Sequence, residues 1–367
     1  MADVAYGFVD LEHLFSQRIA QIPNGYALVS DAIDESTQEY SRVVDGMLAT
    51  LATDVTVAKE HYLEPVGGTL QPLDEFGNPL PVQGRRGYDV AYPIQGAGTA
   101  FGTNRLTRAF MTVAEANQRT VDAQNRDRDW LKRHILAAAL ADAPYNWFDQ
   151  TLEQIGVQGA GNLTIMPLAN GDGASYVGRG GRVLSAHSHL MAQTNPISDT
   201  DNPFGAIWEN LMEHPANQGH RVIVYVADNL ASDIASLASF VDPRDADVQL
   251  GANESQVVNI PDVGFGDVYL GYVRAPGRSH IISWGDLPDN YMLATVEGVP
   301  FLGRRQYPLA ELQGLFTENH SPDGNILETR MIRYCGFGVR NRVGAVAFLV
   351  GQASYQAPAD LKAPLAV

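Results

Sequence analysis

Cysteine is nearly absent from this sequence, since Cys335 is the only one among 367 residues. A single cysteine cannot form an intramolecular disulfide, so a small disulfide-stapled secreted scaffold is excluded. The neighbours of Cys335 are largely apolar. This context predicts a small core residue rather than a nucleophile.

Positive charge is also scarce. Lys and Arg together number 25 against 42 Asp and Glu, which gives a formal net charge of −17. Nucleic-acid-binding surfaces neutralise phosphates with clustered Lys and Arg, so this composition disfavours that class. Only Lys59, Lys132 and Lys362 are lysines. The excess of arginine suits planar two-point contacts with carboxylates at interfaces, and a bias in composition is the other explanation.

Long apolar runs are missing. The longest, such as residues 135–141 and 345–350, fall far short of the roughly 20 residues that a membrane span needs. No basic segment precedes Arg18, so no secretory signal is expected. We therefore predict a chain with no membrane partner, kept in a cytosol-like compartment or in a particle assembled there.

The familiar catalytic motifs are absent as well. No glycine cluster has the form G-x-G-x-x-G between a predicted strand and a predicted helix. Neither G-x-x-x-x-G-K-[ST] nor G-x-S-x-G occurs. His187 and His189 would share one face of a strand and could bind zinc together, but no carboxylate follows at ligand spacing. We predict no catalytic residue, no metal and no cofactor. A metal-dependent hydrolase using His187, His189 and a carboxylate is the alternative from another class.

Two capping boxes predict helices. Ser36-Thr37-Gln38-Glu39 precedes apolar residues at helical spacing, which predicts a helix over residues 37–52. Thr112-Val113-Ala114-Glu115 opens a second helical stretch that reaches about residue 142. The first half of this long helix is polar and has little to bury, so it lies exposed or contacts a partner.

The remaining patterns predict strands and one mixed lobe. Strands over 54–63 and 87–94 form a long hairpin whose loop is rich in Gly and Pro, and a hairpin alone is marginal in water. It lies either on its own domain or on another surface. Helices and strands alternate over 203–300, which predicts one α/β lobe. Strands over 327–335 and 342–350 would close a sheet begun upstream.

Several phrases, in this order, resemble the major capsid proteins of tailed bacteriophages, and the resemblance covers nearly the whole chain. Their ordered co-occurrence makes the match specific, since none is a catalytic signature. The phrases are Gly171-Asp172-Gly173, residues 187–193, the helix within 201–215, Leu287-Pro288-Asp289-Asn290-Tyr291, and residues 333–345.

The resemblance implies an α+β fold of the tailed-phage major capsid type. It has an N-terminal arm, an extended β-hairpin loop, a peripheral domain with a long spine helix, and an α/β axial domain. The implied boundaries are 1–53 for the arm, 54–97 for the hairpin loop, 98–200 for the peripheral domain, 201–305 for the axial domain, and 306–367 for the return to the peripheral domain and the tail.

The resemblance also implies a structural protein and not an enzyme. Its copies would form pentamers and hexamers of an icosahedral head shell around packaged double-stranded DNA, which the shell contacts non-specifically. The implied partners are other copies of the chain with portal, scaffolding and cement proteins. The implied location is the virion, and the host cytoplasm during assembly. An encapsulin-like nanocompartment shell is the closest alternative.

Five arginines are the expected intersubunit contacts: Arg85, Arg86, Arg119, Arg126 and Arg128. Some family members join subunits by a Lys–Asn isopeptide bond, with the lysine on the extended loop. The loop over 65–87 has no lysine here, and Lys59 lies near the base of the hairpin. We therefore predict no covalent crosslink. We also expect a scaffolding segment to be either a separate protein or already removed.

Overall fold

A computed structural model describes residues 11–63, 73–78, 87–154, 162–242, 264–274, 276–320 and 326–362. The chain divides into two units, each built from three segments. Unit 1 comprises Met1–Asp45, Gln95–Leu131 and Gln306–Cys335. Unit 2 comprises Gly46–Ile94, Lys132–Arg305 and Gly336–Val367.

The helices within the described residues are labelled in chain order. They are α1 (Leu11–Ser16), α2 (Gly25–Leu48), α3 (Arg105–Phe110), α4 (Val113–Ala139), α5 (Gln150–Gln154), α6 (Phe204–Met212) and α7 (Ala231–Ala235).

The strands are labelled in the same way. They are β1 (Ala52–Val55), β2 (Lys59–Tyr62), β3 (Tyr88–Ala91), β4 (Gln95–Asn104), β5 (Tyr145–Phe148), β6 (Asn162–Ile165), β7 (Ser175–Val177), β8 (Val183–Ser185), β9 (Leu190–Gln193), β10 (Val222–Val226), β11 (Phe240–Val241), β12 (Val268–Arg274), β13 (Arg278–Ser283), β14 (Tyr291–Val296), β15 (Leu302–Gln306), β16 (Leu315–His320), β17 (Ile326–Val339) and β18 (Ala345–Val350).

Unit 1 contains an antiparallel sheet centred on β17. This strand pairs with β4 through the register Ile332↔Gly98 and with β16 through Phe316↔Ile332. A small core forms from Ala123 of α4, Leu315 of β16 and Met331 of β17. Ile33 and Tyr40 of α2 and Phe101 of β4 pack against this core as partly buried side chains.

The polar half of α4 buries only a narrow stripe. The buried residues recur every three or four positions: Ala116, Thr120, Ala123, Asp127 and Leu131. Such spacing places them on one side of the helix. Apart from Leu131 at its end, the stripe consists of small and polar side chains, which explains why the sequence shows little apolar periodicity there.

Unit 2 is organised around a seven-stranded mixed sheet in the order β11-β12-β13-β10-β14-β18-β9. The central strand β10 is parallel to β13 and antiparallel to β14. Every residue of β10 is buried, and its β-branched sequence suits a strand covered on both faces. Helix α6 packs Phe204, Ile207 and Leu211 into the same core cluster as alternate residues of β10, β14 and β18.

The predicted start of α4 is confirmed. The Glu115 amide donates to Thr112 Oγ1 at 3.2 Å, and the Thr112 amide donates to the Glu115 carboxylate at 3.0 Å. The capping box at Ser36 is wrong, because α2 already begins at Gly25. Thr37 lies inside the helix, where its hydroxyl donates to the Ile33 carbonyl at 2.7 Å.

The expected hairpin and the late strands also have defined partners. Strands β2 and β3 form an antiparallel pair, whereas β1 pairs in parallel with β15. Strand β17 joins β4 and β16 as an upstream sheet requires, but β18 lies between β14 and β9 in the seven-stranded sheet. The seven-stranded sheet therefore includes β9, which precedes the predicted boundary at residue 200, as well as strands that follow it. The domain boundaries themselves stay predictions.

Candidate functional site

The predicted contact arginines divide into two groups. Arg85 and Arg86 lie outside the described residues. Arg119, Arg126 and Arg128 all lie on the first half of α4, where Arg119 is half-buried and the other two are exposed. Arg126 donates to Thr99 Oγ1 within unit 1 at 3.1 Å, and Arg128 lies 3.5 Å from Asn125 Oδ1. Their role between subunits stays a prediction.

Lys59, the lysine nearest to the predicted extended loop, is paired within its own hairpin. Its ammonium group lies 2.7 Å from the Asp89 carboxylate on the partner strand, and both side chains are exposed. His61 Nδ1 contacts the other Asp89 oxygen at 2.9 Å. Hydrogen bonds from Lys59 and His61 lower the pKa of Asp89. The absence of a crosslink stays a prediction.

The described part of the hairpin loop presents apolar side chains to solvent. Phe76 is 80% exposed, Leu73 64% and Leu63 62%. The loop is shaped locally, because the Asp74 carboxylate accepts the amides of Phe76 at 2.9 Å and Asn78 at 2.7 Å. The hydrogen bond from the Asn78 amide is the main cause that lowers the pKa of Asp74. Phe76 is thus exposed to solvent on a turn that local hydrogen bonds stabilise.

Three histidines converge in unit 2. His187 and His189 lie just before β9, and His214 lies just after α6. Their Nε2 atoms are separated by 3.1 Å between His187 and His189, 3.0 Å between His189 and His214, and 3.2 Å between His187 and His214. Among the described residues, these rings form a group that could hold a metal ion.

Backbone carbonyls fix the orientation of two of the rings. His189 Nδ1 lies 2.7 Å from the Ala345 carbonyl at the start of β18, and His214 Nδ1 lies 2.9 Å from the Val177 carbonyl at the end of β7. A carbonyl only accepts, so we assign the hydrogen of each neutral ring to Nδ1. The lone pair on each Nε2 then points into the cluster.

The environment keeps these rings neutral. Burial lowers the pKa of His189 well below 6.5, and the neighbouring His214 and His187 lower it further. Burial also lowers the pKa of His214 to about 4. The pKa of the half-buried His187 is lowered by burial too, although the Glu213 carboxylate opposes the shift. All three rings are therefore uncharged near pH 7.

Sequence reasoning found two members of this cluster and missed the third. The H-x-H spacing pointed to His187 and His189, whereas the third ring belongs to His214 and not to a carboxylate. No local signal marks His214, because the fold brings the end of α6 to the segment before β9. Ala186, directly before the cluster, has a φ of 55°, a strained conformation for a residue with a side chain.

Cys335 and the membrane prediction can also be placed. Cys335 is buried, as its apolar neighbours predict. Among the described residues, no helix has the length and apolar character of a membrane span.

No protein-family model matches this chain, and no curated protein matches its sequence. A solved structure from Mycobacterium phage Patience matches it with a TM-score of 0.61 and 19% identity, covering 97% of this chain and 92% of that one. The capsid structure of cyanophage P-SCSP1u matches with a TM-score of 0.48 and 11% identity, covering 83% and 87%. The holo-SrpI encapsulin complex from Synechococcus elongatus PCC 7942 matches with a TM-score of 0.42 and 12% identity, covering 84% and 88%.

The match to the Mycobacterium phage structure settles the fold. It spans nearly all of both chains, with 97% of this chain and 92% of the other covered. The chain is α+β and has the fold of the tailed-phage major capsid proteins. The expectation from the sequence phrases is thereby confirmed at the level of the fold.

Proposed function

We propose that this chain is the structural subunit of an icosahedral phage head and not an enzyme. The observation that carries the proposal is the fold shared with the Mycobacterium phage structure over 97% of the chain. The sequence phrases that resemble tailed-phage capsid proteins support it independently, because they belong to the sequence and not to the fold comparison.

The exposed hairpin loop supports assembly. Leu63, Leu73 and Phe76 all belong to the sequence between β2 and β3, and each is more than half exposed. Single exposed apolar residues are common, but several on one segment indicate a surface that meets a partner. A second copy of the chain is the partner we propose, and the hairpin would lie across it.

The long helix α4 offers a second surface of this kind. Its first half buries one narrow stripe and leaves Arg126 and Arg128 exposed. We propose that these arginines and Arg119 form ion pairs with carboxylates of neighbouring subunits. The 42 acidic residues of each copy supply many such carboxylates.

The finer assembly follows from the same proposal. Pentamers and hexamers would close the shell around double-stranded DNA, with portal, scaffolding and cement proteins as partners. A net charge of −17 suits a container whose wall does not grip phosphates, since tight contacts would hinder packaging and release. The finished location would be the virion, after assembly in the host cytoplasm.

The test is particle size in solution. Light scattering and negative-stain images of the purified chain should show shells, or rings of five or six subunits, far above the 39.8 kDa of one copy. Phe76→Ser should reduce the assembled fraction, whereas Glu75→Gln on the same loop should leave it unchanged. The Asp74 turn survives both changes, because it uses backbone amides of the loop.

The outcomes are separable. A protein that remains monomeric at every protein and salt concentration tested would contradict the proposal. Shells that protect double-stranded DNA from nuclease support the phage head, whereas shells that retain a protein cargo and no nucleic acid favour the nanocompartment instead.

A further inference from the structure

The Nε2 atoms of the three histidines described above converge, and their hydrogens cannot match all of their lone pairs. His189 and His214 each carry their hydrogen on Nδ1, so their Nε2 lone pairs face each other at 3.0 Å. His187 has at most one hydrogen on its Nε2 and can satisfy only one of the two. At least one lone pair is therefore left facing another inside the cluster.

We propose that His187, His189 and His214 bind a divalent transition-metal ion of the zinc class through their Nε2 atoms. Such an ion accepts all three lone pairs at once. The proposal is independent of the shell function, because the site lies within one unit of one chain.

The geometry of the three nitrogens matches such an ion. Their separations of 3.0, 3.1 and 3.2 Å form a nearly equilateral triangle. A tetrahedral zinc ion with bonds of about 2.0–2.1 Å holds its nitrogens about 3.3 Å apart. The rings therefore need to move by only a few tenths of an ångström, on the order of ordinary adjustment to a ligand.

The surroundings of the rings have the features of a metal centre. Histidines that bind metals usually donate their other N–H to a carbonyl or carboxylate, as His189 and His214 do here. His214 also follows the C-terminus of α6, where the helix dipole favours positive charge. The nearby buried Arg342 opposes a cation, but Asp172 lies 2.9 Å from its guanidinium and offsets that charge.

The ligand set decides the class of metal. Three imidazoles suit Zn²⁺, Ni²⁺, Co²⁺ and Cu²⁺, whereas Ca²⁺ and Mg²⁺ require oxygen ligands. A solvent molecule would complete the tetrahedron, on the side of His187, which is the least buried of the three. The ion would fasten the segment before β9 to the end of α6 within unit 2.

The experiment measures metal content and affinity on the untagged full-length protein. The chain is stripped with a chelator, dialysed against Zn²⁺ and analysed for metal, and Zn²⁺ affinity is measured against a chromophoric chelator. We expect one zinc per chain. Replacement of Zn²⁺ by Co²⁺ should give the intense visible absorption of a tetrahedral site. This measurement uses the unmodified sequence and needs no variant.

The variants assign the ion to the cluster. His187→Gln and His214→Gln should each lower the affinity for Zn²⁺. The loss should exceed the about 10- to 100-fold that follows when a metal ligand loses its hydrogen-bond partner. His220→Gln, a histidine outside the cluster, should retain the full stoichiometry. Less than about one tenth of a zinc per chain, or the same stoichiometry in all three variants, would overturn the proposal.

Discussion

A buried ion pair in unit 1 allows the sharpest prediction of stability. Arg333 of β17 donates from Nε and Nη2 to the two Asp127 oxygens of α4 at 2.6 and 2.8 Å. The side chains are only 2% and 5% exposed. Tyr40 of α2 donates to the same carboxylate at 2.9 Å, and its hydroxyl lies equally close to the Gln124 carbonyl. The pair thus links two helices to the sheet.

Removing one partner leaves the other charge buried. In Arg333→Leu the buried Asp127 carboxylate would keep the hydrogen bond from the Tyr40 hydroxyl but lose its positive partner. Breaking a buried pair in this way costs about 3–5 kcal/mol of folding free energy. The double variant Arg333→Leu/Asp127→Leu removes both charges, and Tyr40 keeps the Gln124 carbonyl as its acceptor. We therefore expect the double variant to lose less stability than either single variant.

The assay must report on unit 1, because a chain of two units need not unfold in one step. Amide hydrogen exchange of β16 and β17 in increasing urea gives the local free energy of unfolding. Arg42→Gln is the matched control, since its pair with Glu39 is 73% and 60% exposed and should contribute nothing measurable. A loss below about 1 kcal/mol in Arg333→Leu, or simple addition of the two single losses in the double variant, would refute the reasoning.

Three further predictions concern other parts of the chain. Thr112→Ala removes the hydrogen bond to the Glu115 amide and should lower the free energy of unfolding by about 1 kcal/mol in urea titrations, whereas Thr112→Ser should preserve it. Gly46→Ala should raise stability by about 1 kcal/mol, because the added methyl meets nothing within 4 Å in a helix, and an unchanged melting temperature would contradict this. Gly303→Ala drives a methyl into the buried ring of Tyr92 and should prevent soluble expression, whereas a soluble variant that melts like the parent protein would contradict this. Burial lowers the pKa of His280 from 6.5 to about 4, so the folded state binds fewer protons than the unfolded one over this range. Stability therefore falls as the pH drops from 6.5 toward 4. The melting temperature of His280→Gln should fall less steeply over this pH range than that of the parent protein, and an equal slope would contradict the assignment.

Signals carried by neighbouring residues predicted the start of α4 correctly, although the same kind of motif at Ser36 placed the start of α2 too late. The Thr112 capping box, the buried strand β10 and the start of α6 each depend on a few consecutive side chains. The Phe204 amide, for example, donates to Asn202 Oδ1 at 3.0 Å just before α6. Such contacts form between residues that are already close in the chain.

Strand β4 shows where this reasoning fails. Its sequence, QGAGTAFGTN, contains one large apolar residue, Phe101, among small and polar ones, and shows no clear alternation. Its partner supplies the reason for the composition, because a side chain at Gly98 would lie 2.9 Å from the Met331 carbonyl of β17. The glycine permits close pairing of the strands, and that requirement appears only once β17 is in place.

The arginines carry the same lesson about charge. Their excess over lysine predicted contacts with carboxylates at interfaces, yet several of these contacts lie inside one unit. Arg333 reaches Asp127, and Arg305 reaches the fully buried Asp149 at 2.6 Å, from positions more than a hundred residues away in the chain. A guanidinium can satisfy both oxygens of a carboxylate, as Arg333 does with Asp127. It can also serve a carboxylate and a nearby carbonyl together, as Arg305 does with Asp149 and Tyr92, whereas an ammonium group lacks this fixed geometry. A hydropathy pattern assigns every arginine to the surface, so buried pairs of this kind become visible only when the fold brings both partners together.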